Sequence, residues 1–346
     1  MKLFPHNFKE KLIFGASMAL SRWVNGSKNL KEIEVKRILV IKLDEIGDLC
    51  YSLHVFDLLK QRYPDPTITL LCKPYCKSMV LAHDSIDTVS TNFSEINHNY
   101  DLVVDLRGDW ESIWFAALNQ PKIRLDRGTV RFANKRRGGH PHEVVTNTQI
   151  ISPLLKIIPE SPMPRLVFTD SNKLKVKKYL LENGLNRFAI FHCSSRKELR
   201  RWPADNFAGL AEWVKEKFQL DILFTGDAGD EELVQAIQKT VRTKTFNTCG
   251  LFDLSEFAVL VQQAQLYVGN ESGPLCIASI SGTPSLGLFG PGEPTVFYPY
   301  GPKTRYIHCI LECNPCDQIH CVHPENTCMQ RITLQETQAK IIELLV

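Results

Sequence analysis

Residues 37–48 read RILVIKLDEIGD, and the fold class of the chain follows from this stretch. The mostly aliphatic run at 37–43 is typical of a strand that is buried on both faces, as in a parallel sheet. A polar turn follows at 44–48, and apolar residues with helical spacing then run from 49 to 63 and stop before Pro64. Strand, turn and helix in this order predict an α/β unit whose turn lies at the carboxyl end of a buried strand.

The same alternation continues on both sides of a proline-containing stretch, SPMP, at residues 161–164. Further strands are predicted at 67–72, 101–106, 188–192, 221–225, 266–268 and 285–289, and further helices at 110–118, 171–183 and 202–218. We therefore expect an α/β protein with two sheets, right-handed crossovers and a hinge at 161–164. Since ligands of open α/β sheets bind at the carboxyl ends of strands, the predicted site is the cleft between the two sheets.

The composition excludes several classes of protein. The chain has 346 residues, which suggests about two domains, and its 44% hydrophobic and 23% charged residues are near the average of soluble globular chains. It is therefore neither a disordered tail, nor a collagen-like rod, nor a polytopic membrane protein. The 41 Lys and Arg against 38 Asp and Glu leave a net charge of +3, which is too small to indicate a nucleic-acid partner.

The first 37 residues are more basic than the rest of the chain. They hold eight Lys and Arg against three Glu, and apolar residues interleave with these charges. The weakly polar run at 12–21 is too short to span a membrane. Two interpretations stay open: a basic amphipathic helix that lies on an anionic membrane surface, or a helix that packs on its own domain.

Two of the predicted strand-to-helix loops carry residues suited to a catalytic or anion-binding site. In DEIGD at 44–48, Gly47 permits a sharp turn, and Asp48 begins a helix, where such a residue also serves as an N-cap. At 194–203, Ser194 and Ser195 follow a strand, four bases including Arg200 come next, and a proline opens a helix. Hydroxyls, guanidinium groups and helix-end amides together suit a diphosphate, whereas the alternative is a solvated basic face.

Two further loops in the second half complete the set. Thr225 and Gly226 end a strand and are expected either to contact a ribose or base, or to cap the next helix. The loop at 269–274 reads GNESGP, and its Gly-Pro pair at a helix start leaves backbone amides free for a ligand. Glu271 in this loop is suited to accept hydrogen bonds from sugar hydroxyls.

The order of these motifs resembles one known family. The motifs are ILVIKLDEIGD at 38–48, DLVVDLRGD at 101–109, HEVVTN at 142–147, RRWP at 200–203, FTGDAGDEEL at 224–233, VGNESGP at 268–274 and GTPSLGLFGP at 282–291. From residue 37 to the C-terminus the chain is similar to the heptosyltransferases of glycosyltransferase family 9, which have the GT-B fold of two facing Rossmann-like domains. The resemblance implies transfer of a sugar, typically heptose from ADP-heptose, to a lipopolysaccharide core or related surface glycan, with inversion and without a metal.

The resemblance also implies roles for single residues. Asp48 matches the general base, which takes the proton of the acceptor hydroxyl. Arg200 matches a basic residue on the donor phosphates, usually Lys in the family. The expected donor-binding residues are Ser194, Ser195, Arg200, Thr225, Gly226, Asn270, Glu271, Ser272 and Gly273. Glu271 stands where the family has Asp, and Cys276 stands where many members have His, so the donor sugar is open.

On the acceptor side, Gly47, Lys42 and Arg107 are expected to lie near an anionic glycolipid. The stretch 124–137, with six bases against Asp126, is expected to face the same acceptor, and its alternative is a flexible basic loop. The predicted domains are the basic segment 1–36, an acceptor-side domain 37–163, a nucleotide-sugar-binding domain 164–332 and a C-terminal helix 333–346. This arrangement predicts a cytoplasmic enzyme at the inner face of the membrane, whose partners are a nucleotide sugar, a glycolipid and the membrane surface.

The eleven cysteines divide into six scattered residues and a cluster at 309–328. The scattered ones are expected to be reduced, buried thiols. Within the cluster, two cysteines separated by two residues are a common zinc arrangement, and similar clusters occur in part of the family. The candidate structural zinc ligands are Cys313, Cys316, Cys321 and Cys328, and the alternative is plain reduced thiols; no cofactor is expected for catalysis.

Two other functions compete with glycosyl transfer. A sugar-nucleotide epimerase or hydrolase of similar fold would need additional acid–base residues beside Asp48, and the motifs show none. A degenerate transferase that only binds its ligands would be expected to have lost Asp48, Arg200 or the loop at 271–273, yet all are present. The sequence therefore favours a glycosyltransferase.

Overall fold

The predicted first strand, β1 (Arg37–Lys42), lies at the centre of a parallel sheet, and its residues after Arg37 are all buried. The structure is a computed structural model that describes residues 6–97, 99–139 and 141–346, with side chains described from residue 12 onward. The chain forms two compact units, Met1–Val167 and Phe168–Val346. The division lies four residues after the predicted boundary between 163 and 164, and residues 1–36 belong to the first unit.

The first unit is built on a five-stranded sheet in the order β3-β2-β1-β4-β5, and all its neighbouring strands are parallel. The other strands are β2 (Thr67–Cys72), β3 (Thr88–Ser90), β4 (Leu102–Asp105) and β5 (Ile123–Asp126). The helices are α1 (His6–Asn25), α2 (Ile46–Cys50), α3 (His54–Arg62), α4 (Lys77–Val80), α5 (Trp110–Asn119), α6 (Arg127–Arg136) and α7 (Glu143–Ile151).

The register of this sheet brings two of the motif loops together. Ile41 of β1 pairs with Asp105 of β4, so both strands end at the same edge. The loop that begins at Leu43 therefore lies beside the loop at 106–109, because parallel neighbours present their carboxyl ends side by side.

The second unit has a six-stranded sheet in the order β11-β10-β9-β6-β7-β8, again parallel throughout. Its strands are β6 (Phe188–His192), β7 (Asp221–Phe224), β8 (Thr245–Asn247), β9 (Leu266–Asn270), β10 (Ser285–Phe289) and β11 (Thr304–His308). Its helices are α8 (Asp170–Glu182), α9 (Ala204–Phe218), α10 (Glu231–Thr240), α11 (Leu254–Gln263), α12 (Gly273–Ile280), α13 (Pro294–Phe297), α14 (Cys328–Arg331) and α15 (Leu334–Leu345).

In this sheet β6 lies between β7 and β9, with Phe191 opposite Phe224 and His192 opposite Gly269. The loops that follow the three strands therefore meet at one edge. These are the loops that carry the predicted donor-binding residues.

Helix α1 covers the open edge of the first sheet. The side-chain amide of Asn25 donates to the carbonyl of Arg124 at 2.8 Å and accepts from its backbone amide at 2.9 Å, so it pairs with the edge strand β5. Ser17 and Ser21 of α1 both donate to Asp126, at the end of β5. Along its described side chains, α1 therefore packs on its own unit.

Two predictions of local structure need correction. The predicted helix at 49–63 is two helices, α2 and α3, which are separated by a turn at residues 51–53. The stretch 124–137 is not a loop, because it forms most of β5 and the whole of α6. In the described part of the chain, no helix combines the length and apolarity that crossing a membrane requires.

Candidate functional site

Lys42 and Arg127 form the centre of a buried charge network in the first unit. Lys42 ends β1 with no exposed surface, and its Nζ lies 3.1 Å from Asp44, 3.6 Å from Glu143 and 3.8 Å from Asp48. Arg127 begins α6, and its guanidinium lies 2.8 Å from Glu143, 3.5 Å from Asp44 and 3.6 Å from Asp48. Each cation thus faces the same three carboxylates, which compensates for burying the charges.

Two further arginines complete this network. Arg131, one turn after Arg127 on α6, lies 3.1 Å from the fully buried Glu143. Arg107 pairs with Asp44 and, through Nε, donates to Asp109 at 2.9 Å, which joins the loop after β4 to the loop after β1. The two adjacent loops are therefore held together by charge-assisted hydrogen bonds.

Asp48 differs from the other carboxylates of the network. Its side chain is 19% exposed, against 8% for Asp44 and none for Glu143, so of the three it is the most accessible to a substrate. Burial raises the pKa of Asp48 above its ordinary value; Lys42 and Arg127 oppose this shift, and Asp44 and Glu143 add to it. A carboxylate with a raised pKa is a better proton acceptor at neutral pH than an ordinary one.

Asp44 has the opposite shift. Burial alone would raise its pKa, but Lys42, then Arg127 and Arg107, outweigh burial and lower the pKa of Asp44 to about 2. The network therefore separates the pKa values of two neighbouring carboxylates, which is how a site distinguishes a proton-transfer group from a permanently charged one. Of these two carboxylates, Asp48 is the more exposed one and the one whose pKa is raised.

In the second unit, Arg200 and Glu271 form an ion pair. The Nη1 of Arg200 lies 3.2 Å from Oε1 of Glu271, and its Nε donates to the side chain of Gln318 at 2.6 Å. The other carboxylate oxygen of Glu271 is buried and has no hydrogen-bond partner among the described residues. Burial raises the pKa of Glu271, and Arg200 opposes that shift. An unpaired acceptor beside a guanidinium is suited to a ligand that offers a hydroxyl.

The carboxylate of Glu271 occupies the position that a side chain at residue 292 would take. A Cβ at residue 292 would lie 1.9 Å from Oε2 of Glu271, so any larger residue there would require the Glu271 carboxylate to move. Glycine at this position is therefore required by the placement of Glu271.

The loop after β6 and the start of α12 lie beside this pair. Ser195 donates through its hydroxyl to the carbonyl of Glu271 at 3.3 Å, and Ser194 donates to Asp230 at 2.7 Å. Helix α12 begins at Gly273, and Ser272 at its N-cap makes no side-chain capping bond. Backbone amides at such a helix start bind anions, because they point along the positive end of the helix dipole.

The loop after β7 shows the capping that was one of its two expected roles, and the contact with a ribose or base stays a prediction. The Oγ1 of Thr225 is buried and has no hydrogen-bond partner among the described residues. Asp227 caps the following turn by accepting from the amide of Gly229 at 2.7 Å. Gly226 lies against Asp230, and a Cβ there would be 2.6 Å from that side chain.

Comparison with known proteins identifies the family. Residues 93–326 match the model of glycosyltransferase family 9 (heptosyltransferase). The chain belongs to glycosyltransferase family 9. Among curated family 9 relatives, lipooligosaccharide heptosyltransferase 2 of Campylobacter jejuni (serotype O:6) is 26% identical over 218 residues, or 62% of this chain and 67% of that protein.

Solved family 9 structures show the same fold. The glycosyltransferase of Veillonella parvula superposes with a TM-score of 0.76 at 19% identity, covering 92% of this chain and 99% of that one. The ADP-heptose LPS heptosyltransferase II of Escherichia coli gives 0.70 at 20% identity, covering 89% and 98%. The predicted family and GT-B fold are confirmed, and the chain is a glycosyltransferase.

Within this family 9 chain, three residues expected on the acceptor side have different environments. Lys42 is wrong as a direct acceptor contact, because its Nζ is fully buried and faces Asp44, Asp48 and Glu143. Gly47 is buried in the first turn of α2 and has no positive φ, so it does not make a sharp turn. Arg107 keeps a side chain 36% exposed and stays a candidate for the acceptor side.

The basic stretch 124–137 is also corrected. Arg124 is fully buried between Asp105, at 2.7 Å, and Asp126, at 3.3 Å. Arg127 and Arg131 belong to the charge network around Glu143. The bases of the stretch that are exposed lie at its end: Lys135, Arg136 and Arg137.

Asn270 is wrong as a donor contact. Its side chain is fully buried, accepts from the amide of Trp202 at 3.0 Å and donates to the carbonyl of Cys193 at 2.8 Å. Asn270 therefore holds the loop after β6 against β9 and positions the residues on either side.

Glu143 and Gln318 are not among the predicted site residues. Glu143 lies in the HEVVTN motif, which contributed to the resemblance. The residues near it in the sequence do not indicate that it pairs with Lys42 of β1 and Arg127 of α6. Gln318 lies in the cysteine cluster, 118 positions after Arg200.

The four cysteines at 313, 316, 321 and 328 line one small pocket with His320 and His323. Two backbone amides donate to their sulfurs, from Gln318 to Cys316 and from His323 to Cys321, both at 3.4 Å. All eleven cysteines are free thiols. Within the described residues, one group of three or more potential metal ligands has its ligand atoms all within 4.8 Å of one another: Asp57, His83 and Asp84. The sulfur atoms of the four cysteines lie farther apart than this limit.

Proposed function

We propose that this glycosyltransferase moves heptose from ADP-heptose to a lipopolysaccharide core or related surface glycan, with inversion and without a catalytic metal. The family 9 relatives named as heptosyltransferases support the donor and the acceptor. The observation that carries the proposal is Asp48, an accessible carboxylate of raised pKa that is held by Lys42 and Arg127. On this proposal the enzyme works in the cytoplasm at the inner membrane face.

In the proposed reaction Asp48 takes the proton of the acceptor hydroxyl while that oxygen bonds to the anomeric carbon. The bond from the anomeric carbon to the diphosphate oxygen breaks on the opposite side, and ADP leaves with its electron pair. Because the leaving diphosphate needs no proton, one carboxylate is sufficient, unlike the pair that glycoside hydrolysis uses.

The second unit supplies the donor site in this proposal. Arg200 and the amides at the start of α12 stabilise the charge that develops on the leaving diphosphate. Ser195 and Thr225 offer hydroxyls to the phosphates or ribose. The unpaired oxygen of Glu271 accepts a hydrogen bond from a sugar hydroxyl, which would replace the missing partner of this buried atom.

Donor binding tests this assignment. Isothermal titration calorimetry is expected to show tighter binding of ADP-heptose than of UDP- or GDP-sugars. Arg200→Ala is expected to weaken ADP-heptose binding about 10- to 100-fold, because a hydrogen bond to a charged group contributes roughly 1.5–3 kcal/mol. Arg242→Ala, at an exposed arginine of the same unit, is the control and should bind as the wild type does. Equal affinity of Arg200→Ala and wild type would refute the assignment.

We also propose that Cys313, Cys316, Cys321 and Cys328 hold a structural zinc ion. Four thiols on one pocket and the two amide-to-sulfur bonds support this, since such bonds stabilise thiolate charge. Plasma mass spectrometry of the purified chain is expected to find one zinc per chain. Cys313→Ser/Cys316→Ser should lose the zinc and melt at a lower temperature, whereas the scattered Cys72→Ser should keep it. Absence of zinc from the wild type, or iron in its place, contradicts the proposal.

A further inference from the structure

Helix α5 exposes large apolar side chains where a surface helix normally carries polar ones. Trp110, Trp114 and Leu118 are 47%, 68% and 62% exposed, and their spacing of four residues places them on one face. The opposite face of α5, with Phe115 and Ala116, packs into the core of the first unit. We call Trp110, Trp114 and Leu118 the aromatic stripe.

Helix α1 extends this apolar surface. Leu20 of α1 packs on the core cluster that contains Phe115 and Ala116, so this side of α1 faces α5. Leu12 and Trp23 are exposed and lie within about 80° of Leu20 around the helix axis, at 100° per residue. Three of the five tryptophans of the chain are therefore exposed on these two neighbouring helices. Exposed apolar side chains concentrated on neighbouring helices are typical of an interaction site.

On helices α1, α5 and α6 the exposed charges are mostly positive. Among the described side chains of α1, α5 and α6, the exposed charged residues are Arg22, Lys135 and Arg136 against Glu111. Arg137, which follows α6, is exposed as well, whereas the exposed Lys122 pairs with Asp101 at 2.8 Å. Tryptophan concentrates at the boundary between lipid and water, where its ring is apolar and its N–H stays hydrated.

We propose that the aromatic stripe docks on a lipid bilayer that carries anionic headgroups. Apolar rings flanked by bases match such a surface, because the rings enter the headgroup region while the bases meet its negative charge. Asp109, the N-cap of α5, accepts a hydrogen bond from Arg107, and Arg107 in turn pairs with Asp44 of the charge network. Docking therefore brings the network close to the headgroups. The inference deepens the proposed function, since a lipid-anchored acceptor presents its sugar there.

The aromatic stripe itself lies on α5, outside the basic residues 1–36 that suggest membrane binding in the sequence. Deleting those residues would remove the serines of α1 from Arg124 and Asp126, so loss of membrane binding in the truncated chain would not separate docking from unfolding. Point variants of the exposed stripe avoid this problem.

Vesicle sedimentation tests the proposal. The full chain is expected to co-sediment with vesicles of phosphatidylcholine and phosphatidylglycerol, and at least tenfold less with phosphatidylcholine alone or at high salt. Trp110→Ser/Trp114→Ser should bind the anionic vesicles at least tenfold more weakly. The matched control is Leu174→Ser/Leu181→Ser on α8, which removes two side chains of 67% and 68% exposure from the other unit and should bind normally.

Three results would overturn the proposal. They are failure of the wild type to bind anionic vesicles, equal binding of the stripe variant, and an oligomer in analytical ultracentrifugation that the stripe variant alone dissociates. The last result would assign the aromatic stripe to a second copy of the chain. Vesicle binding requires no sugar transfer, so its failure is distinguishable from failure of the proposed function. Circular dichroism melting of each variant verifies that it is folded.

Discussion

Asp48→Asn is expected to lower kcat for sugar transfer by about 10²- to 10⁴-fold, the contribution that a positioned general base typically makes. The amide keeps the size of the carboxylate but cannot accept the proton of the acceptor hydroxyl. Donor affinity should stay within about twofold of wild type, because Arg200 and α12 supply the proposed donor contacts. Steady-state kinetics and calorimetry with ADP-heptose measure the two quantities separately.

Asp44→Asn is the matched control, since it removes one negative charge from the same network. Lys42, Arg127 and Arg107 lower the pKa of Asp44 to about 2, which makes it the weaker base of the two carboxylates. Asp44→Asn should therefore lower kcat far less than Asp48→Asn does. If Asp44→Asn and Asp48→Asn lose the same activity, the network rather than one base is responsible, and the assignment of Asp48 fails.

The pH profile provides a second test of this base. Asp48 is active when deprotonated, so kcat should rise with pH through its raised pKa and then level off. Asp44 contributes to raising the pKa of Asp48, so Asp44→Asn should move the rise to lower pH. If kcat of Asp44→Asn rises at the same pH as kcat of the wild type, a group other than Asp48 controls the pH profile.

Local patterns were sufficient to predict the elements that carry the site. β2, β6 and β10 occupy the residues that were predicted for them, because short aliphatic runs between polar turns specify buried strands. The motif loops at 44–48 and 194–203 follow β1 and β6, as the alternation of strand and helix predicts. These features need only the order of neighbouring residues.

Long-range pairing was not predictable in the same way. Lys42 and Arg124 are cations in the sequence, and nothing local shows that carboxylates from other elements surround them. Arg124 meets Asp105 from the neighbouring strand and serines from α1, about 100 positions earlier. Without these partners a run of bases predicts an exposed surface, and for this reason the prediction for the stretch 124–137 is wrong. The contact of Gln318 with Arg200 was not predictable for the same reason, because the two residues are 118 positions apart in the sequence.

Arg124→Met is expected to lower the free energy of unfolding of the first unit by about 3–5 kcal/mol, because it leaves a buried carboxylate without its cation. Arg124 has no exposed surface, lies 2.7 Å from Asp105, and donates to the Ser21 hydroxyl at 2.7 Å and the Ser17 carbonyl at 3.0 Å. Urea unfolding followed by circular dichroism measures the loss. Lys122→Met is the control, because its pair with Asp101 is exposed and screened by solvent, so its loss should leave the free energy of unfolding close to that of the wild type.

The loss should also depend on pH in a direction that identifies its cause. Burial already raises the pKa of Asp105, and Arg124 opposes that shift, so removing Arg124 raises the pKa further. A carboxyl whose pKa is higher in the folded state binds a proton on folding, and its contribution to stability is lost as the pH rises through the folded pKa. The deficit of Arg124→Met should therefore be smaller at pH 5 than at pH 8. Asp105→Asn in the Arg124→Met background removes the unpaired charge, so it should recover part of the stability at pH 8. A deficit that is independent of pH would assign the loss to packing instead of charge.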